Sequence, residues 1–131
     1  MSEEIKVSFN LQVANGFLTD RVALGQVSID QATAGRGGNT QTFTESESAV
    51  SQDGVTTEGV VFMRNLEAAG GASFEWGPEA GTTGVMSLCG VLAPGEFAFF
   101  RLSPGVQLYG RSAPVGTGGE SCKVDIRVYE N

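Results

Sequence analysis

Leu92-Ala-Pro-Gly-Glu-Phe-Ala-Phe-Phe-Arg-Leu-Ser-Pro-Gly-Val-Gln-Leu-Tyr109 contains two Pro-Gly pairs, each followed by a short run rich in aromatic and aliphatic residues. Proline presets the first angle of a turn and glycine supplies the positive φ that follows, so each pair reverses the chain into a new strand. This is the pattern of an antiparallel β-meander. Nothing in the stretch provides for cutting or transferring a chemical group.

The same pattern extends in both directions. Ile5, Val7, Phe9, Leu11 and Val13 alternate with Lys6, Ser8, Asn10 and Gln12, which predicts a half-buried strand over Ile5–Val13. Asn15-Gly16 marks a turn, and Phe17–Asp20 and Val27–Ala32 read as shorter strands or as an extended segment packed beside the first. Ala34–Asn39 is glycine-rich and reads as a loop or hairpin tip. Thr40–Ser46 around Phe43, then Ala49-Val50, read as weak edge strands before a turn at Asp53-Gly54.

Gly59–Asn65 is a strong central strand. Ser73–Gly77 puts Phe74 and Trp76 on one face before Pro78 stops it. Val85–Val91, Glu96–Leu102 and Val106–Ser112 follow, Pro114–Gly119 connects, and Ser121–Glu130 alternates at Cys122, Val124, Ile126 and Val128. Seven to nine short strands with frequent turns predict an all-β, antiparallel, jelly-roll-like β-sandwich. The chain reads as one domain over 1–131, with an N-terminal strand or arm over 1–13 and a weakly patterned extended segment over 25–51.

At 131 residues the chain has room for one core, and its 19 glycines argue against long helices. The net charge of −7 arises from a thin acidic surface, since only Lys6 and Lys123 are lysines and six arginines stand singly. Such a balance disfavours nucleic acid and anionic membrane surfaces as partners. It favours solubility and mutual repulsion until assembly. The start Met1-Ser-Glu-Glu lacks a secretory apolar region and no stretch has membrane-spanning length, so synthesis in a cytoplasm is expected. Cys89, in the apolar run from Val85, reads as a buried thiol, and both it and Cys122 are expected to be reduced.

No histidine occurs, which removes the commonest general base and the activation of serine or cysteine by imidazole. Glu75, Glu79 and Glu96 are the candidate carboxylates for a glycosidase-type pair, weighed against ordinary solvated acids. Asp30, Asp53 and Asp125 lack the dense spacing of a calcium loop, and two cysteines fall short of a zinc site. Arg36 stands in a glycine loop that lacks the Lys-Ser/Thr of a phosphate-binding loop. No catalytic residue, metal or cofactor is therefore assigned. Interaction candidates are Ile5, Val7 and Phe9 on the first strand, Arg36 and Phe43 in the weakly patterned segment, and Arg64. Like Arg101, Arg64 follows an aromatic-rich strand and would either pair with a carboxylate such as Glu96 or contact an acidic neighbour in an assembly. Trp76 with Tyr109 is the candidate sugar-stacking platform, against a core role for Trp76.

Asn15-Gly16, Gln31-Ala-Thr-Ala-Gly35, Gly59-Val-Val-Phe-Met-Arg-Asn-Leu66, Pro94–Gly105 and Leu108-Tyr109 together resemble small proteins encoded among the virion morphogenesis genes of tailed bacteriophages. The resemblance runs from about Ile5 to Val128. It implies a non-catalytic virion structural protein made in a bacterial cytoplasm. The leading expectation is a capsid decoration (cement) protein that forms a homotrimer or other homo-oligomer and binds the major capsid protein or other virion proteins. Alternatives are a tail or baseplate accessory protein and a carbohydrate-binding host-attachment module.

Overall fold

The computed structural model describes residues 5–114 and 120–131, and among these every regular element is a β-strand. The chain divides into two compact units, Met1–Ala32 and Thr33–Asn131. The weakly patterned segment over 25–51 falls across both, its first residues belonging to the first unit.

The first unit is one long antiparallel hairpin of β1 (Ile5–Asn15) and β2 (Leu18–Ile29). Gly16, with φ of 58°, takes the first of the two turn positions between Asn15 and Leu18, where a right-twisting hairpin needs positive φ. Of the two readings of Phe17–Asp20 and Val27–Ala32, separate short strands or an extended segment beside the first, the second is the observed one: β2 is continuous from Leu18 to Ile29 and pairs with β1. Val7 pairs with Val27 but Phe9 pairs with Leu24, so Ser8 faces both Gly25 and Gln26 in a β-bulge. The apolar positions of β2 change from even (Val22, Leu24) to odd (Val27, Ile29) at that point, and the extra residue keeps all four on one face. A strict period of two, read along the sequence, breaks where the strand does not.

The second unit packs two sheets face to face. One contains β3 (Arg36–Gly37), β4 (Thr40–Phe43), β6 (Glu58–Asn65), β9 (Phe97–Arg101) and β11 (Cys122–Glu130). The other runs β5 (Ser48–Ala49), β10 (Leu108–Ala113), β7 (Ser73–Pro78) and β8 (Gly90–Leu92). The fold of this unit is thus an all-β antiparallel sandwich of nine strands, as expected, and the hairpin brings the strands among the described residues to eleven. Strand β11 lies between β6 on one side and, on the other, β3 and β4 in succession.

The glycine-rich stretch is not a loop tip. Gly38, at φ 85°, kinks the chain between β3 and β4 and lies so close to the backbone of Ile126 that no Cβ fits there. The strand expected over Val85–Val91 is regular only at Gly90–Leu92, and the residues before it stay beside β7 through a one-residue bulge over Gly77. Ser87 N–H donates to the Pro78 carbonyl, Cys89 N–H to the Trp76 carbonyl, and Met86 bridges Glu79.

Alternation builds the core. Val61 and Met63 from β6, Val124, Ile126 and Val128 from β11, and Phe74 and Leu108 from the facing sheet are buried together with Phe43. Burying each such large side chain contributes about 1.5–3 kcal/mol. Gly110 leaves room for the Phe74 ring, which meets Phe43 at a centroid distance of 4.7 Å. Asn65 ends β6 inside this core. Its Nδ2 donates to the carbonyls of Ala72 and Leu92, both at 3.0 Å, and its Oδ1 accepts from Glu67 N–H. One buried amide therefore fastens two connections to the sheet.

Candidate interaction surfaces

Register and alternation give the hairpin two unlike faces. Ile5/Ile29, Val7/Val27, Phe9/Leu24 and Leu11/Val22 pair across the strands on one face, and Val13 pairs with Asp20 at its end. Lys6/Ser28, Asn10/Ala23, Gln12/Arg21 and Ala14/Thr19 occupy the other. The apolar face is not closed off: Phe9 and Leu11 are each 40% exposed and Leu24 52%. The turn carries a fully exposed Phe17 beside Leu18. The half-buried first strand of the sequence reading is thus an apolar but largely exposed one. Ile5, Val7 and Phe9 lie together on this face, as the sequence grouped them.

The second surface is the outer face of the five-stranded sheet. Arg64 lies opposite Phe97, Phe62 opposite both Phe99 and Arg127, and Tyr129 opposite both Arg36 and Val60. Arg101 and Lys123 share the face. Five of the chain's eight cations therefore stand here, with Asp125 the acid among them. Asp125 pairs with Arg127 at 3.1 Å. Phe97 is 55% exposed and its ring stacks on Phe62 at 6.1 Å. The arginines that stand singly in sequence gather in space because they fall on one side of the strands' alternation. Arg36, Arg64 and Arg101, named from sequence, belong to this face, while Phe97 and Phe99 complete it. Their alternation along β9 was the available signal.

The remaining candidates are separated. Phe43 is fully buried and is a core residue, not a contact residue. Gly110 is the register partner of Trp76 and Tyr109 that of Gly77, so Trp76 and Tyr109 project from opposite faces of their sheet and form no common platform. Trp76 packs inward onto Phe100. Tyr109 donates its hydroxyl to Glu79, whose carboxylate raises the phenol's pKa.

The three candidate carboxylates are likewise dispersed into structural roles. Glu75 accepts from Arg111 Nε at 2.6 Å, and the same guanidinium reaches Glu47 at 3.3 Å. Glu96 accepts from Ala93 N–H within the Pro94-Gly95 turn. Among the described residues no three histidine, cysteine or acidic side chains converge as a metal site would need. Cys89 is exposed, contrary to its apolar sequence context: Trp76, the register partner of the neighbouring Gly90, packs inward, and alternation turns Cys89 with Val91 to the outer face. Cys122 is buried, and burial raises its thiol pKa to about 11, with the charge of Glu67 acting in the same direction and a hydrogen bond with Ser112 opposing. Both cysteines are free.

No protein-family model, curated protein or solved structure matches the chain.

Proposed function

We propose that this chain is a non-catalytic structural protein of a virus particle, in the first instance a capsid decoration protein of a tailed bacteriophage that acts as a homo-oligomer. The observation that carries the assembly role is the hairpin, with four apolar cross-strand pairs on one face left largely exposed. A two-stranded hairpin is marginal alone in water, and a contiguous exposed apolar surface is characteristic of a protein–protein contact. Rim contacts of this kind gain strength when repeated over a symmetric shell.

The strand order gives further support. Within the second unit β4-β11-β6-β9 face β5-β10-β7-β8, which we read as the two four-stranded sheets of a jelly roll. Jelly rolls recur in viral capsid and lectin domains. Fold alone does not carry function. The particle assignment draws on the resemblance of the turn-and-strand motifs to phage morphogenesis proteins, and the opposed directions of Trp76 and Tyr109 disfavour the lectin-like alternative.

Mass spectrometry and electron cryo-microscopy of the purified particle test this reading. Density for the sandwich repeated over the shell lattice is the expected result. Density confined to the tail makes the chain a tail or baseplate accessory protein, and absence of the chain from purified particles overturns the proposal.

A further inference from the structure

Strand β9 ends the five-stranded sheet, paired with β6 on one side and, among the described residues, with no strand on the other. Asn65 N–H donates to the Glu96 carbonyl and Leu102 N–H to the Gly59 carbonyl, so the backbone of even-numbered residues here faces β6. Strand alternation then turns the N–H and C=O groups of Phe97, Phe99 and Arg101 to the open edge. Most of the usual protections of an edge are missing: Phe97–Arg101 contains no proline, lysine or bulge, and its register with β6 is unbroken. Its one charge, Arg101, stands at its end and donates to Asn131 Oδ1 at 2.8 Å. Three of its five residues are phenylalanine, and none of the five is fully buried.

We infer that β9 pairs with β9 of a second copy of this chain, antiparallel about a two-fold axis at Phe99. The inference rests on the reading of the chain as a self-assembling structural protein and specifies one of its contacts. A register centred on Phe99 is the one that engages all three outward-facing residues of both strands. It sets Phe99 opposite its own equivalent, and Phe97 opposite Arg101 twice. Each Phe97 ring then stands between Arg64 on β6 and a guanidinium of the second copy, a favourable place for a cation beside an aromatic face. Phe62 and Phe99 with their equivalents form a ladder of four rings across the junction. The inward-facing Ala98 and Phe100 extend the apolar side of the sheet in the same register. A strand that carries its own complement meets the condition for a two-fold contact, in which one patch serves both partners.

Sedimentation analysis of the full chain, with site-directed cross-linking, tests the pairing. The native chain is expected to associate through pairs, and Phe99→Lys, which sets like charges face to face at the axis, is expected to abolish that step. Phe99 is on the outer face, so the near-ultraviolet signal of Trp76 checks that the sandwich is intact. In a Cys89→Ser background, Phe99→Cys is expected to oxidise to a linked dimer. Directly opposed residues of this kind lie about 5.5 Å apart between Cα atoms, within the span of a disulfide. Phe97→Cys, facing Arg101, is expected to give none. A chain that stays monomeric at all concentrations, or a Phe97→Cys variant that links as readily as Phe99→Cys, overturns the inference. An oligomer that survives Phe99→Lys but dissolves with Leu11→Glu also overturns it, and leaves the structural role standing. Absence of the chain from purified particles, with the pairing intact, removes the role alone.

Discussion

Trp76 and Phe100 lie face to face between the two sheets, their ring centroids 5.0 Å apart and their planes within 2° of parallel. The stack joins β7 to β9, the strand whose outer side carries Phe97 and Phe99. Trp76 Nε1 is buried with no hydrogen-bond partner among the described residues, so the ring serves packing at the cost of one desolvated N–H.

Trp76→Ala is therefore expected to destabilise the fold by about 3 kcal/mol through the lost aromatic volume. Trp76→Phe keeps a stacking ring and removes the orphaned N–H, and should cost less than about 1.5 kcal/mol. Urea unfolding followed by circular dichroism checks both. Equal losses for the two variants would show that the indole N–H has a role the packing does not explain.

Asn65→Ala should be among the most damaging single changes in the sandwich. It leaves the carbonyls of Ala72 and Leu92 without their donor and Glu67 N–H without its acceptor. Each buried polar group left unpaired costs about 1–3 kcal/mol. Asn65→Asp should be comparably severe, because a carboxylate cannot donate to either carbonyl. A thermal midpoint within a degree or two of the native value for either variant would refute this role.

The cysteines should differ in reactivity. Exposed Cys89 should react promptly with a thiol reagent in the native protein, and buried Cys122 only after unfolding. Cys122 also makes stability fall in alkali. Its folded pKa, about 11, lies above that of an unfolded thiol, so its contribution is complete below the unfolded value and disappears as pH rises through about 11. Cys122→Ala should flatten that part of the stability profile relative to the native chain. Prompt labelling of two thiols in the folded protein would contradict the assignment.

The hairpin predictions separate face from charge. Leu11→Glu and Phe9→Glu place a carboxylate on the apolar face and should abolish its contribution to assembly. Gln12→Glu adds the same charge to the polar face and should leave assembly unchanged. Removal of Met1–Val13 should act like the apolar-face variants. Deleting Gln26 removes the bulge and restores a strict period of two, so Val22, Leu24, Val27 and Ile29 stay on one face and assembly should survive. Sedimentation velocity compares the five proteins, and an oligomer insensitive to Leu11→Glu would count against the hairpin as the contact.

Some of this was present in the chain's own order. The alternation at Cys122, Val124, Ile126 and Val128 named the inner face of β11, and Gly59–Asn65 named the central strand, because a strand between two partners with one buried side has to repeat every second residue. The Pro-Gly turns bounded β9 for a similarly local reason: proline and glycine fix their own backbone angles. Strand β2 was less legible because the bulge at Gly25-Gln26 changes the phase of the pattern while preserving the face, and only pairing with β1 reveals the compensation.

Tertiary structure decided what no local pattern contains. It placed Arg36, Arg64, Arg101, Lys123 and Arg127 on one sheet face, since strands distant in sequence become neighbours only through the sheet order. It buried Phe43 and Asn65, exposed Cys89, and sent Trp76 and Tyr109 to opposite sides. The sequence by itself determined that this chain forms strands, and largely where they begin and end, because turn geometry and period-two burial act over a few residues. Which strand became the open edge depended on long-range pairing, and that pairing leaves Phe97, Phe99 and Arg101 with backbone groups still to satisfy.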